Sequence, residues 1–80
     1  MPQGNLLTLT QMQPGQSGIV ARVEGGLGLM GRLNALGIIP GKKITKLSSM
    51  IVRGPVTIEV DRAQVAIGFG MANRIIVDLG

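Results

Sequence analysis

Residues 55–67 read Pro-Val-Thr-Ile-Glu-Val-Asp-Arg-Ala-Gln-Val-Ala-Ile, and this stretch decides the fold class. In 55–61, Val, Ile and Val alternate with Thr, Glu and Asp, which is the pattern of a strand with one buried face. A turn near Asp61-Arg62 then leads into a second, mostly apolar segment at 63–67. The stretch therefore predicts two short strands joined by a tight turn.

Further short segments on both sides of this pair also have the composition of strands. The predicted strands before and after it cover 6–9, 18–24, 43–50 and 74–79. Leu29, Leu33 and Leu36 follow the i, i+4, i+7 spacing of an amphipathic helix, which we expect over 28–36 and stopped by Gly37. A short helical turn is expected at 68–73.

The strand predicted at 18–24 is buried mainly on one face, with Ile19, Ala21 and Val23 on the apolar side. Taken as a whole, the sequence predicts a mainly β chain of about five short antiparallel strands, one short helix and a helical turn. A sheet of this size with one hydrophobic face closes most economically as a small barrel, which also limits exposed edge strands.

Two turns share one chemistry. Residues 13–16 (Gln-Pro-Gly-Gln) and 39–42 (Ile-Pro-Gly-Lys) both place Pro at the second position and Gly at the third. This is the type II arrangement, in which Pro presets φ and Gly tolerates a positive φ. Each turn precedes a predicted strand.

The composition limits the function. The chain has 80 residues, so we expect a single domain over 1–80, and 45% of its residues are hydrophobic, which indicates a folded chain. It contains no His, Cys, Trp or Tyr. The commonest general base, the thiolate nucleophile and the usual zinc ligands are therefore missing, so we expect no enzyme and no catalytic, cofactor-binding or metal-binding residues.

The methionines and the single aromatic residue are expected to fill the core. Met12, Met30 and Met71 occupy core positions of the predicted elements, and Phe69 is expected to be core as well. Residues 1–21 carry no charge but are interrupted by many polar side chains, so we expect neither a leader nor a membrane span. A cytoplasmic location is the expectation.

Residues 26–31 spell Gly-x-Gly-x-x-Gly, which resembles the dinucleotide-binding fingerprint. That site also needs a parallel strand-helix-strand unit and an acidic residue about 20 residues further on. No acidic residue lies in 43–53, so we interpret the glycines as a loop that leads into the helix.

The net charge is +4, and its surplus lies mid-chain. A stretch without any acidic residue contains Arg32, Lys42, Lys43, Lys46 and Arg53. Such a stretch is typical of a surface that docks on an acidic protein or on a membrane-proximal partner, and a charged face that only keeps the protein solvated remains an alternative.

An apolar tip, Met50-Ile51-Val52, lies between two predicted strands and next to Arg53. Exposed apolar side chains are frequent contact points. The candidate partner-binding residues are Arg32, Lys42, Lys43, Met50, Ile51, Val52 and Arg53.

The chain also resembles a known family. Its most specific segment is Arg32-Leu33-x-x-Leu36-Gly37-Ile38-x-Pro40-Gly41, and the further matching segments follow in the same order. These are Leu9-x-x-Met12-x-Pro14-Gly15-Gln16-Ser17-Gly18-x-Val20, Gly25-Gly26, Gly54-Pro55-Val56, Val65-Ala66-Ile67 and Ala72-x-x-Ile75-x-Val77. Together they resemble the FeoA family, ferrous iron transport protein A.

The resemblance implies an SH3-like small barrel in the bacterial cytoplasm that acts as an accessory to the ferrous iron permease FeoB. It implies docking on the permease's cytoplasmic GTPase region, so the membrane is reached only through that partner, and it implies no catalysis. Related domains stand at the C-terminus of iron-dependent repressors. Two departures concern local geometry: Lys46 replaces an apolar strand residue, which predicts a twist or bulge, and 68–70 (Gly-Phe-Gly) is less helix-prone.

Other functions remain open at this stage. A small basic barrel could bind nucleic acid, although the stacking aromatics that such proteins use are missing. It could also be an interaction module of the kind found in the repressors. Direct binding of ferrous iron could use only Glu59 and Asp61 as a close pair of carboxylates. The sequence leaves a homo-oligomer open as well.

Overall fold

The computed structural model describes residues 5–49 and 54–80. These residues form six strands in one antiparallel sheet, together with helices α1 and α2 and a 3₁₀ turn at Leu9–Gln11. The strands are β1 (Leu6–Thr8), β2 (Ser17–Val23), β3 (Lys43–Ser49), β4 (Val56–Val60), β5 (Ala63–Ile67) and β6 (Ile75–Asp78). Helix α1 covers Leu27–Ala35 and α2 covers Phe69–Ala72. The sheet order is β1-β6-β2-β3-β4-β5, and the predicted mainly β class is confirmed.

The β4-β5 hairpin forms where the alternating pattern predicts it. Its two loop residues, Asp61 and Arg62, both have positive φ (52° and 68°), as a type I′ turn requires. Five residue pairs follow without a register break, from Val60 opposite Ala63 onward. The apolar side chains of β4 are all buried.

The predicted inward face of β2 is wrong for two of its three residues. Ile19 is 43% exposed and Ala21 is exposed, whereas Gly18 and Val20 are buried. The register shifts between Val20 and Arg22. This bulge adds one residue to the strand and so turns the side chain of Val23 back toward the core. The prediction assumed strict alternation of inward and outward residues, which an extra residue interrupts.

Helix α1 ends as the sequence predicts. Gly37 adopts φ +86°, and its N–H donates to the Asn34 carbonyl at 2.9 Å while the Ile38 N–H donates to the Leu33 carbonyl at 2.9 Å. These two bonds define a Schellman motif, in which Gly avoids the Cβ penalty of the left-handed region. Leu33 and Ile38 are both buried beneath it.

Met30 does not lie in the core, contrary to prediction. It is 41% exposed, whereas Met12 is buried and Met71 packs against the core from a half-buried position. Met30 lies about 60° around the helix axis from the buried Leu33, at 100° per residue, and so it lies at the edge of the buried face of α1. Phe69 is half-buried at the start of α2.

Both Pro-Gly turns have the predicted geometry. Gly15 and Gly41 have φ of +95° and +92°, and each turn closes with a bond from its fourth N–H to its first carbonyl. Both glycines also donate across to the neighbouring strand, Gly15 to Lys46 and Gly41 to Val20. The turns therefore fix the register between β2 and β3.

Lys46 is buried on the inner face of the sheet with only 2% of its surface exposed. Its Nζ donates to three backbone carbonyls around the 3₁₀ turn: Leu9 at 3.1 Å, Thr10 at 3.3 Å, and Met12. Burial lowers the pKa of Lys46. The register of β3 shifts between Lys46 and Ser48, so the bulge predicted near this lysine is confirmed.

Gly18 of β2 lies close against β6. A Cβ on Gly18 would meet Val77 Cγ1 at 2.5 Å and the Asp78 carbonyl oxygen at 2.7 Å. The second contact is with backbone, which cannot move aside cheaply. The buried row of the sheet therefore needs a residue without a side chain at this position.

The change Lys46→Met keeps the apolar stem of the side chain but removes the donor for the three carbonyls. We expect the free energy of unfolding to fall by about 1–3 kcal/mol at pH 7, since buried carbonyls lose their partner. The ordinary pKa of 10.5 holds in the unfolded chain, which binds the proton more tightly than the folded chain does. Stability of the wild type therefore rises with pH between the lowered pKa and 10.5. Urea unfolding between pH 7 and 11 measures both effects.

The matched control is Lys43→Met, because Lys43 is exposed. It should change stability by no more than about 0.5 kcal/mol and keep the alkaline rise. If Lys46→Met were as stable as this control at pH 7, or showed the same alkaline rise as the wild type, the buried amino group of Lys46 would not affect stability in the way described.

Gly18→Ala should cost about 1–3 kcal/mol of unfolding free energy, because the new methyl group overpacks the contact between β2 and β6. Gly28→Ala is the control, since a Cβ there meets open space inside α1 and removes the flexibility of Gly from a helix. It should stabilise the protein by about 0.5–1 kcal/mol. Thermal unfolding of both variants compares them directly, and equal melting temperatures would contradict the close approach.

Candidate partner-binding surface

A charged depression of about 420 Å³ lies where the start of β3 meets the β4-β5 turn. Strand pairing builds it, since Thr45 lies directly opposite Glu59. Side chains alternate between the two faces of a strand, so Lys43, two residues before Thr45, lies on the same face, and Asp61 follows Glu59 at the same spacing. Its lining side chains are Lys42, Lys43, Thr45, Glu59, Asp61 and Arg62. The depression is open to solvent, so it can bind a surface rather than enclose a small molecule.

Lys42 forms an ion pair inside this depression. Its Nζ lies 2.9 Å and 3.1 Å from the two carboxylate oxygens of Asp61. The stretch around Lys42 has no acidic residue in sequence, but the hairpin brings one to it in space. The pair is partly exposed, so it contributes at most about 1 kcal/mol.

Two further cations line the depression without an acidic partner among the described residues, namely Lys43 and Arg62. Lys43 is a predicted partner-binding residue. Arg62 is a residue that sequence reasoning missed. The signal for it was available, because a two-residue turn after the alternating strand brings the turn beside the start of β3 once β3 pairs with β4.

Arg32 lies on α1, is exposed, and is not among the side chains that line the depression. The structure therefore brings Lys42 and Lys43 together but leaves Arg32 apart from them. The remaining predicted partner-binding residues, Met50, Ile51, Val52 and Arg53, lie outside the described residues.

An apolar cleft beside α1 was not predicted. It is small, about 40 Å³, and is lined by Val23, Met30, Asn34, Ile38, Ile39 and Pro40. Of its lining residues, Met30 and Ile39 are each more than a third exposed. Leu27, the first residue of α1, is 88% exposed. The signal in the sequence was Met30, which lies about 60° from Leu33 around the helix on the side away from Leu29, and therefore at the border of the buried stripe.

Of the two carboxylates considered above as ligands for iron, Glu59 and Asp61, the second already binds a cation. Both oxygens of Asp61 accept hydrogen bonds from Lys42, so its charge is already matched. In 5–49 and 54–80 no three acidic, His or Cys side chains come together to hold a metal ion. Within the same residues no helix has the length and apolar character needed to cross a membrane.

Several known proteins are similar to this chain in sequence and in fold. The sequence profile of the FeoA domain matches residues 7–79. The Methanocaldococcus jannaschii protein named "Putative Fe(2+) transport protein A" is 36% identical over 64 residues, covering 80% of this chain and 76% of that protein. A crystal structure of an "Iron Uptake Regulatory Protein (FeoA)" is 38% identical with a TM-score of 0.83, covering 91% of this chain and 95% of the other.

A third match is to a "Manganese-dependent transcriptional repressor", with a TM-score of 0.88 at 22% identity. It covers this whole chain but only 45% of the repressor, and at this identity it shows the fold alone. Taken with the antiparallel sheet, the likeness to the FeoA crystal structure confirms the predicted SH3-like fold.

Asp61→Asn should remove the ion pair with Lys42 while keeping the turn, because Asn tolerates the left-handed φ of this position. We expect a loss of less than about 1 kcal/mol in low salt. At about 1 M salt the loss should disappear, since exposed charges are screened. Glu59→Gln, which removes the same charge without breaking an ion pair, is the control for denaturant titrations at both salt levels. A loss independent of salt would contradict an electrostatic role.

Proposed function

The chain belongs to the FeoA domain family, the accessory proteins of ferrous iron transport, and on this premise we propose that it docks on the cytoplasmic GTPase region of the ferrous iron permease FeoB. In this proposal the protein works without catalysis of its own at the cytoplasmic face of the membrane, which it reaches through the permease. The observation that supports this docking surface is a set of exposed cations that have no acidic partner among residues 5–49 and 54–80.

Among the described residues, the intramolecular ion pairs are Arg22 with Glu24 and Lys42 with Asp61. Lys46 is buried and faces carbonyls. The exposed cations that remain have no acidic partner within the described part of the chain; they are Arg32, Lys43, Arg62 and Arg74. Two of them share the charged depression, so an acidic partner surface gains most there.

The apolar cleft lies next to the depression and supports the same face. Ile39 lines the cleft and Lys42 lines the depression, and both belong to the one four-residue turn at 39–42. A Cβ on Gly37 would lie 3.7 Å from Asp61 Oδ2, so the end of α1 also borders the depression. Apolar anchors beside charged side chains are the usual arrangement of a specific protein interface.

The iron itself is handled by the permease in this proposal. The chain supplies no His or Cys, and its carboxylates number four, of which Glu24 and Asp61 are engaged with cations. A docking protein of this kind can alter the partner's conformation or its lifetime in one state, because binding shifts the population toward the state bound more tightly.

The test is the affinity for the purified cytoplasmic region of FeoB, measured by calorimetry. The double change Lys43→Glu with Arg62→Glu should weaken binding by at least about tenfold, corresponding to about 1.4 kcal/mol. Asp61→Asn should change affinity little or strengthen it, because it frees Lys42 for the partner.

Arg74→Glu is the matched control, since Arg74 is exposed and has no acidic partner but precedes β6, away from the depression. It should leave the affinity within about twofold of wild type apart from the salt-dependent effect of net charge. The single change Lys43→Glu alters the net charge by the same amount as Arg74→Glu, so equal losses of affinity for these two single variants would show that only total charge matters. Tight binding by the double variant would place the interface elsewhere.

A further inference from the structure

We propose that the free edge of β5 pairs with the β5 edge of a second copy of this chain, in antiparallel register about a two-fold axis at Val65. The strand is the last in the sheet order, with β4 as its neighbour on one side. This inference is independent of docking on the permease, because the pairing residues of β5 do not line the charged depression and the test uses the protein alone.

The hairpin geometry decides which backbone groups face outward. A two-residue loop makes the flanking residues, Val60 and Ala63, a hydrogen-bonded pair, and such pairs then alternate with non-hydrogen-bonded ones. Ala63, Val65 and Ile67 therefore bond to β4. The N–H and C=O groups of Gln64 and Ala66 point away from it, and no backbone group in 5–49 or 54–80 bonds to them.

The β5 edge lacks the usual protection against pairing. Natural edge strands carry lysine, proline or a bulge, or are very short. Strand β5 has five residues, Ala-Gln-Val-Ala-Ile, with no charge and no proline, and its register with β4 is unbroken. The opposite edge strand, β1, has only three residues. Gln64 and Ala66 are exposed, so a second strand can reach them.

A second copy is the occupant because β5 is complementary to itself. With the axis at Val65, Gln64 faces Ala66 of the other copy and exchanges both backbone hydrogen bonds with it, as does Ala66 with Gln64. The two-fold axis repeats the pair, which satisfies all outward groups of both residues. The two half-buried Val65 side chains meet on the inner face, and no like charges face each other within the strands.

The interface is small, since it joins only one short strand from each copy. Its area falls below that of stable complexes, so we expect association near about 0.1–1 mM rather than in dilute solution. The protein should therefore be mainly monomeric at about 20 μM. At about 1 mM its average mass should rise clearly above the 8.3 kDa of one chain, toward that of two chains.

The register gives a sharp charge-swap experiment, read out by sedimentation equilibrium. The variant Gln64→Lys/Ala66→Lys places lysine opposite lysine at both pairs and should remain monomeric up to about 1 mM. The variant Gln64→Lys/Ala66→Glu places lysine opposite glutamate at the same pairs and should associate at least as tightly as wild type. In both variants Lys at 64 lies opposite Glu59 of β4, which keeps the hairpin intact.

The control Ala21→Lys/Ala35→Lys adds the same charge at exposed positions of β2 and α1 and should associate like wild type. Thermal unfolding verifies that every variant is folded. Amide chemical shifts of Gln64 and Ala66 should move with concentration in the wild type. A wild type that is monomeric at about 1 mM would overturn the proposal, and so would association that the lysine pair leaves intact or that the charge swap fails to restore in a folded variant.

Discussion

The burial of Lys46 constrains much of the fold. An ammonium group inside a core costs several kcal/mol unless polar partners surround it, and here three backbone carbonyls provide them. These carbonyls belong to the segment that links β1 to β2, so one side chain of β3 ties that segment to the sheet. The backbone of Lys46 adds bonds with Gly15 and Gln16, which bind the following turn to the same strand. The 3₁₀ turn, the first Pro-Gly turn and the bulge of β3 are therefore parts of one arrangement.

Local rules predicted the elements that depend on local chemistry. The β4-β5 hairpin, both Pro-Gly turns and the end of α1 follow from alternation, from Pro and Gly positions and from the Gly37 stop. The face of β2 could not be predicted, because the bulge after Val20 is set by pairing with β6, which is distant in sequence. The presence of a bulge near Lys46 was predictable, whereas its carbonyl partners were not, because they come from a segment more than 30 residues away.

The candidate surface shows the same limit. Sequence proximity grouped the cations from Arg32 to Arg53, but folding places Lys42 and Lys43 beside Arg62, Glu59 and Asp61 instead. A stretch without acidic residues in the sequence therefore contributes to a surface on which acidic residues from another strand and turn are also present. Within the described residues, every buried polar side-chain atom has a hydrogen-bond partner. The exposed cations of the candidate surface, in contrast, include some without an acidic partner in the same residues. The buried scaffold and the exposed surface therefore differ in how far their polar groups are paired. This difference supports the docking proposed for the chain.

The most direct test of that account is an NMR footprint, recorded on the ¹⁵N-labelled wild type as the cytoplasmic region of FeoB is added. The account predicts that amide shifts concentrate around Ile39, Lys43 and Arg62, where the apolar cleft joins the charged depression. The amides of Leu9 and Met12, whose carbonyls hold the Lys46 ammonium, should stay unmoved because the scaffold does not change. The largest shifts at Leu9 and Met12, or no shifts at saturating partner, would contradict it.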